Sequence, residues 1–236
     1  MVDSLINEWK HVFKLDPDKP LGDDALEALC VSGTDAVVVG GSSGVTFDNT
    51  IELLSRIRRF EVPCVLEVTS LDAVVPGFDL YFVPVALNSE DANYIVGHHQ
   101  RALKRYGGIL PWDGLLAEGY VILNPDCTAA RISSACAPLD VKDVLAYARF
   151  ADRLLRLPIV YLEYSGVFGD MSLVDETKKT LTQARLFYGG GIDGYEKAKA
   201  AAAAADTIVV GNVIYDSLDR ALETVRAAKD SAAGDR

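Results

Sequence analysis

Eight short apolar runs recur along the 236-residue chain, at 11–15, 36–40, 64–68, 80–83, 120–123, 159–162, 186–188 and 207–210. Most are apolar throughout rather than alternating, the pattern of strands buried on both faces of a parallel sheet. Helical segments at 23–31, 48–60, 89–106, 139–155, 173–183, 194–205 and 216–229 fill most of the intervals. Strand-then-helix units of about 30 residues each suit a TIM-type (β/α)8 barrel, which uses every strand and leaves no edge. One barrel domain is expected over 1–229, with the small, polar segment 230–236 a disordered C-terminal tail. The alternative, a doubly wound open sheet, usually has fewer strands and gives the glycines near Gly189 and Gly211 no role.

One interval is too short. Between the third and fourth runs lies only TSLDAVVPGFD, residues 69–79, whereas a parallel crossover needs about a dozen residues or more. The third crossover helix is therefore expected to be missing or degenerate, leaving a lateral apolar groove lined by residues such as Val74, Val75 and Phe78.

Ligands of such barrels bind at the carboxyl ends of the strands, and the residues there are chemically coherent. The last two runs end in Gly189-Gly190-Gly191 and Gly211-Asn212, each followed by a helix. Glycine lets backbone N–H groups approach an anion closely, and a helix N-terminus adds partial positive charge, so these ends predict a phosphate site. Lys14 can pair with a phosphate, and Asp16 with Ser42 can hold Mg²⁺, which typically takes one or two carboxylates plus substrate phosphates. Glu163 follows a wholly apolar run, where partial desolvation raises a carboxyl pKa and suits a general base; Tyr161, two residues earlier, points the same way. His98 and His99 lie in a helical stretch and read as surface or packing residues. No Ser-His-Asp set, no lysine after the sixth run and no GxGxxG fingerprint is present, which ranks acyl transfer, Schiff-base and hydride chemistry low.

Composition sets the boundaries. With 34 acids against 23 bases the net charge is −11, which repels nucleic acid. No apolar stretch approaches the roughly 20 residues of a membrane span, and the opening MVDSLINEWKH resembles no secretory peptide. Cys30, Cys64, Cys127 and Cys136 form no CxxC pair and read as reduced thiols. A soluble cytoplasmic protein is expected, with at most transient membrane contact because no strong basic amphipathic face is evident.

The segments WKHVFKLDP, SGTDAVVVGGSSGVT, PGFDLYFVPVALNS, EGYVILNPDC, LPIVYLEYSGVFGD, LFYGGGI and DTIVVGN, in this order and spacing, closely resemble the PcrB family of heptaprenylglyceryl phosphate synthases over residues 8–229. The resemblance implies a homodimeric barrel prenyltransferase that uses Mg²⁺ to move a heptaprenyl group from heptaprenyl diphosphate to the C3 hydroxyl of sn-glycerol 1-phosphate. It assigns Lys14, Tyr161, Leu162, Glu163, Tyr164, Ser165, Gly166, Gly191, Gly211 and Asn212 to glycerol phosphate, and Asp16 and Ser42 to magnesium. Glu163 becomes the base that orients and deprotonates the hydroxyl, with Tyr161 assisting, and Ala102 the small residue that leaves the prenyl channel open. Two other readings remain: another phosphate-binding TIM-barrel enzyme, such as an isomerase or synthase, and a non-catalytic barrel partner protein.

Overall fold

The computed structural model describes residues 3–234. Strands β1 (His11–Leu15), β2 (Ala36–Val39), β3 (Cys64–Glu67), β4 (Leu80–Ala86), β5 (Leu115–Ile122), β6 (Ile159–Glu163), β7 (Arg185–Gly189) and β8 (Thr207–Val210) pair in chain order as parallel neighbours. β8 returns to pair with β1, so the sheet is a closed barrel and the doubly wound alternative is excluded. The connecting helices are α1 (Asp3–Ile6), α2 (Asp23–Cys30), α3 (Phe47–Ile57), α4 (Gly97–Tyr106), α5 (Thr128–Ser133), α6 (Val141–Arg149), α7 (Met171–Thr180), α8 (Tyr195–Ala204), α9 (Val213–Asp216) and α10 (Leu218–Gly234).

The period-two alternation of the strands divides the core in two. Val12, Val38, Val65, Phe82, Tyr120 and Phe187 form a cluster inside the barrel. Their neighbours Phe13, Val37, Leu66 and Tyr188 join helix residues such as Leu26 and Ala198 in a second cluster between strands and helices. Each fully buried Val, Leu or Phe contributes about 1.5–3 kcal/mol against conformational entropy. Ile6 and Trp9 belong to the inner cluster just ahead of β1 and plug the N-terminal end. The Trp9 carbonyl accepts from Thr207 Oγ1 at 2.8 Å and from Arg185 Nη2 at 3.0 Å. With that end stapled shut, the C-terminal face is left for chemistry.

The third crossover has no α-helix, only a 3-10 turn at Leu71–Ala73. Val74 and Phe78 border the resulting gap. Val75 does not: it is fully buried in the outer core, and its carbonyl accepts from Tyr81 Oη at 3.2 Å. Other elements depart from the expected bounds for local reasons. β5 begins at Leu115 although Glu118 interrupts the apolar run, because that carboxyl group is itself buried. The stretch 89–106 is not one helix. Asn88 donates to the carbonyls of Ile122 and Cys136, Asp91 caps a 3-10 turn at Ala92–Tyr94, and α4 starts only at Gly97. The segment after α6 continues as a π-helical turn, Phe150–Leu155.

The expected disordered tail is helical as far as it is described. α10 runs to Gly234, with Asp230 accepting from Tyr195 Oη at 2.8 Å and Ser231 Oγ donating to the Lys199 carbonyl at 3.2 Å. Residues 235 and 236 lie outside the described residues. Among the described residues no helix is long and apolar enough to cross a membrane.

Candidate active site

A cavity of about 1750 Å³ opens over the C-terminal ends of the strands and continues sideways through the gap left by the missing helix. It reaches from Lys14, Glu163 and Gly211 to Val74, Ala102 and Trp112. Sites for small ligands occupy about 300–1,000 Å³, so this one has room for something considerably longer.

Its polar floor is a charged network. The inward positions at the ends of β1, β3 and β6 carry Lys14, Glu67 and Glu163, and Tyr120 reaches up from β5. The Lys14 ammonium donates to both Glu67 carboxylate oxygens, at 2.7 and 2.8 Å, and to Tyr120 Oη at 3.2 Å. All three of its N–H groups are thus engaged within the protein, and a phosphate reaches them only by exchange. Burial works against the ammonium, but Glu67, Glu163 and Glu118 outweigh it and hold its pKa above the ordinary value. The rings of Tyr120 and Tyr161 stack with centroids 4.3 Å apart, and Lys14 Nζ lies 5.9 Å from each centroid. Burial first, then Glu163, pushes the Tyr161 phenol well above its usual pKa, so it is present as a proton donor.

Glu163 is oriented by its own strand end. Ser165 N and Oγ both donate to Oε1 at 2.7 Å, while among the described residues Oε2 meets only Tyr120 Oη, at 3.4 Å. One oxygen is anchored and the other is left toward the cavity. Burial raises the carboxyl pKa, and Lys14 and the Ser165 bonds only partly oppose it, the condition of a carboxylate poised to accept a proton. Ser165 is therefore committed to positioning Glu163; its carbonyl accepts from Asn124 Nδ2 at 2.6 Å.

Beside this floor lies a cradle of backbone donors. Gly166, Gly191, Gly211 and Asn212 line the same cavity, and among the described residues their N–H groups make no hydrogen bond. Gly191 has φ +58°, and a Cβ there would run into the backbone of Val167 and Phe168. Only glycine lets the chain turn so tightly under the loop after β6. Asn212 precedes the short helix α9, the arrangement in which barrels hold phosphate. Lys19 Nζ, 3.4 Å from Asn212 Oδ1, adds a cation at the rim.

Asp16 and Ser42 meet the same cavity. Tyr215 Oη accepts from the Asp16 amide at 2.8 Å, the Asp16 Oδ1 atom accepts from Asp18 N at 3.0 Å, and among the described residues no cation pairs with the carboxylate. A Cβ on Gly41 would come within 2.5 Å of that oxygen, so the glycine makes room for it. Among the described residues no three His, Cys, Asp or Glu side chains gather as a metal cage. One carboxylate and one hydroxyl beside an anion cradle nonetheless suit Mg²⁺, which completes its shell with water and substrate phosphate oxygens.

Not every expected residue faces the cavity. Leu162 is fully buried in the outer core, and Tyr164 packs on Tyr188 at 5.9 Å with its amide donating to the Gly189 carbonyl at 2.7 Å. Period two puts both on the far side of β6 from Tyr161 and Glu163. Ala102 on α4 does line the lateral arm, as do His98 and His99, the latter with Nε2 2.9 Å from the Pro84 carbonyl. Glu67 and Tyr120 are additions; Glu67 is the one charged residue of the apolar run 64–68 and ends β3 as Glu163 ends β6, so a similar signal marks it. A fourth acid, Glu118, lies below Tyr120 on β5, fully buried, with neither oxygen hydrogen-bonded among the described residues. Burial, and Glu67 after it, push its carboxyl well above the usual range.

The PcrB family model matches residues 4–229. The chain is 58% identical over 227 residues to the heptaprenylglyceryl phosphate synthase of Geobacillus kaustophilus, covering 96% of this chain and 95% of that protein. It is also 58% identical over 224 residues to the heptaprenylglyceryl phosphate synthase of Bacillus subtilis, covering 95% and 98%. Among solved structures, (S)-3-O-geranylgeranylglyceryl phosphate synthase from Thermoplasma acidophilum, in complex with its substrate sn-glycerol-1-phosphate, matches with a TM-score of 0.86 at 26% identity, covering 98% of each chain.

Proposed function

The chain belongs to the PcrB family, and on that premise we propose that it is a prenyltransferase that joins a heptaprenyl group to the C3 hydroxyl of sn-glycerol 1-phosphate, giving an ether-linked lipid precursor. The observation that carries this reading is one continuous cavity that holds unpaired backbone amides and a buried carboxylate at one end and an apolar arm at the other. A phosphate-handling isomerase has no use for that arm.

In this reading the amides of Gly166, Gly191, Gly211 and Asn212 receive the phosphate of the acceptor and fix its orientation. The C3 hydroxyl then lies at Glu163 Oε2, and holding it there removes the entropy cost of a free encounter. As the allylic carbon–oxygen bond of the donor ionises, the hydroxyl oxygen forms the new ether bond, its proton passes to Glu163 Oε2, and diphosphate departs. Tyr161 donates a hydrogen bond beside the reacting oxygens, and Lys14, held in place by Glu67, supplies fixed positive charge. Mg²⁺ held by Asp16 and Ser42 would supply neutralisation of the departing diphosphate. The tail occupies the arm past Ala102, where a small side chain leaves the route open. The enzyme works in this reading as a cytoplasmic homodimer, for which the exposed Phe150 and Leu154 after α6 offer apolar surface.

The test is incubation with labelled sn-glycerol 1-phosphate and a series of polyprenyl diphosphates, with and without Mg²⁺, followed by solvent extraction. Label is expected in the organic phase, dependent on Mg²⁺ and most abundant with the seven-isoprene donor. Glycerol phosphate binding without any extractable product would sink the reading.

A further inference from the structure

The outer end of the cavity emerges beside α4, where the surface departs from the rest of the chain. Against a net charge of −11, residues 97–112 carry Arg101, Lys104 and Arg105 and no acid. All three cations are exposed, and among the described residues none enters an ion pair. Arg101 Nη2 donates to Asn93 Oδ1 and to His98 Nδ1, each at 3.1 Å, and the Arg105 guanidinium lies over the Tyr106 ring.

Apolar side chains stand among these cations. Ile109 is 82% exposed, more than any other large apolar residue described, and Trp112 is 58% exposed. Trp112 Nε1 donates to the Gly107 carbonyl at 3.2 Å, so the indole has its polar atom satisfied while its body faces outward. Leu103, Ile109 and Trp112 also line the cavity, so the patch is continuous with its mouth.

We propose that this α4 surface, with Ile109 and Trp112, docks on an anionic lipid bilayer and sets the open arm of the cavity against it. The proposal rests on the assignment of a polyprenyl donor, whose hydrocarbon tail partitions into bilayers. Charge singles out the occupant. Cations beside exposed Trp and aliphatic groups match an anionic lipid–water interface, and the acidic remainder of the chain is repelled from such a surface, which leaves this face to make the contact. A second copy of the chain fits worse, because an isologous contact would bring the unpaired cations of both copies together.

Vesicle flotation tests this without any substrate. The wild-type chain is expected to float with phosphatidylglycerol-rich vesicles, to stay behind with pure phosphatidylcholine, and to be released by salt. Trp112 emission should shift to the blue on binding; Trp9 is buried, and Trp112→Phe should remove the shift. The double variant Arg101→Gln/Lys104→Gln should bind about thirtyfold more weakly. It should turn over detergent-dispersed donor at the wild-type rate and vesicle-embedded donor several-fold more slowly. Equal vesicle binding by wild type and double variant overturns the proposal, as does a double variant that loses self-association while floating normally. No turnover even in detergent, with flotation as expected, sinks the prenyl-transfer reading and leaves the docking surface standing.

Discussion

At the ends of β6, β7 and β8 the chain is tied down: Ser165 clasps Glu163, Tyr164 bonds the Gly189 carbonyl, Tyr188 Oη accepts from Gly169 N and donates to the Gly190 carbonyl, and Gly191 slips beneath Phe168. Across the mouth, the connection from β3 to β4 has lost its helix and offers Val74 and Pro76 to the cavity, with the buried Phe78 bordering it. The contrast follows from what each side has to hold. A phosphate and a nucleophilic hydroxyl act only from fixed positions, so their side carries glycines at positive φ and side chains held by hydrogen bonds. A tail of repeating apolar units needs volume and no fixed orientation, and deleting one helix of the outer ring supplies volume.

The largest effect should come from the rigid side. Glu163→Gln keeps shape and removes the proton acceptor, so kcat should fall about 10²–10⁴-fold, while calorimetric binding of glycerol phosphate changes little. Equal losses in binding and turnover would make Glu163 a structural anchor and dissolve the division of labour. The wild-type pH profile adds a sign. Burial raises this carboxyl pKa, and the base must be ionised, so activity should fall with acidification at a pH above the about 4.3 of an ordinary glutamate.

Next comes Gly191→Ala. The φ of +58° and the backbone of Phe168 beneath it leave no place for a Cβ, so the cradle must shift and the KM for glycerol phosphate should rise about tenfold or more. The same substitution at Gly211, where a Cβ would meet only ordinary contacts 3.5 Å or more away, should cost much less. On the open side, Ala102→Trp should leave glycerol phosphate affinity unchanged and shift the preferred donor to fewer isoprene units, read as the product ratio in mixed-donor assays. Unchanged use of the seven-isoprene donor would remove Ala102 from the channel.

The two sides differ in how far the sequence reveals them. Apolar runs and the short 69–79 interval are local patterns, and both the closed barrel and the absent helix follow from them. Glycines after β7 and β8 reveal the cradle because φ > 0 and close backbone approach leave a residue signature. Pairing across the barrel leaves none. Lys14 meets Glu67, 53 residues away, only once β1 and β3 are curved toward one centre, so a lysine expected to face phosphate is occupied by a carboxylate. The side chains of Leu162 and Tyr164 point away from the cavity by simple alternation along β6, which is legible. Ile109 and Trp112 join three cations in one patch only because α4 folds over the gap, which the periodicity of α4 does not disclose.

The smallest effect tests the barrel between the two sides. Glu118 is fully buried with both oxygens unpaired among the described residues, and burial, with Glu67 after it, pushes its carboxyl pKa well above the usual range. A buried polar group without partners costs about 1–3 kcal/mol, so Glu118→Met, of similar length and apolar, should raise stability by roughly that amount, and Tm by about 2–4 °C per kcal/mol for a chain this size. The pH dependence fixes the cause. Once pH exceeds the unfolded glutamate's pKa, the unfolded chain releases a proton that the folded one retains, so wild-type stability falls as pH rises up to the folded pKa. The advantage of Glu118→Met should therefore be at its smallest near pH 4, where only the cost of the buried neutral group remains, and widen toward neutrality in chemical denaturation. A gap that narrows with rising pH would mean that Glu118 is ionised in the barrel and draws stability from Lys14, making it part of the rigid side after all.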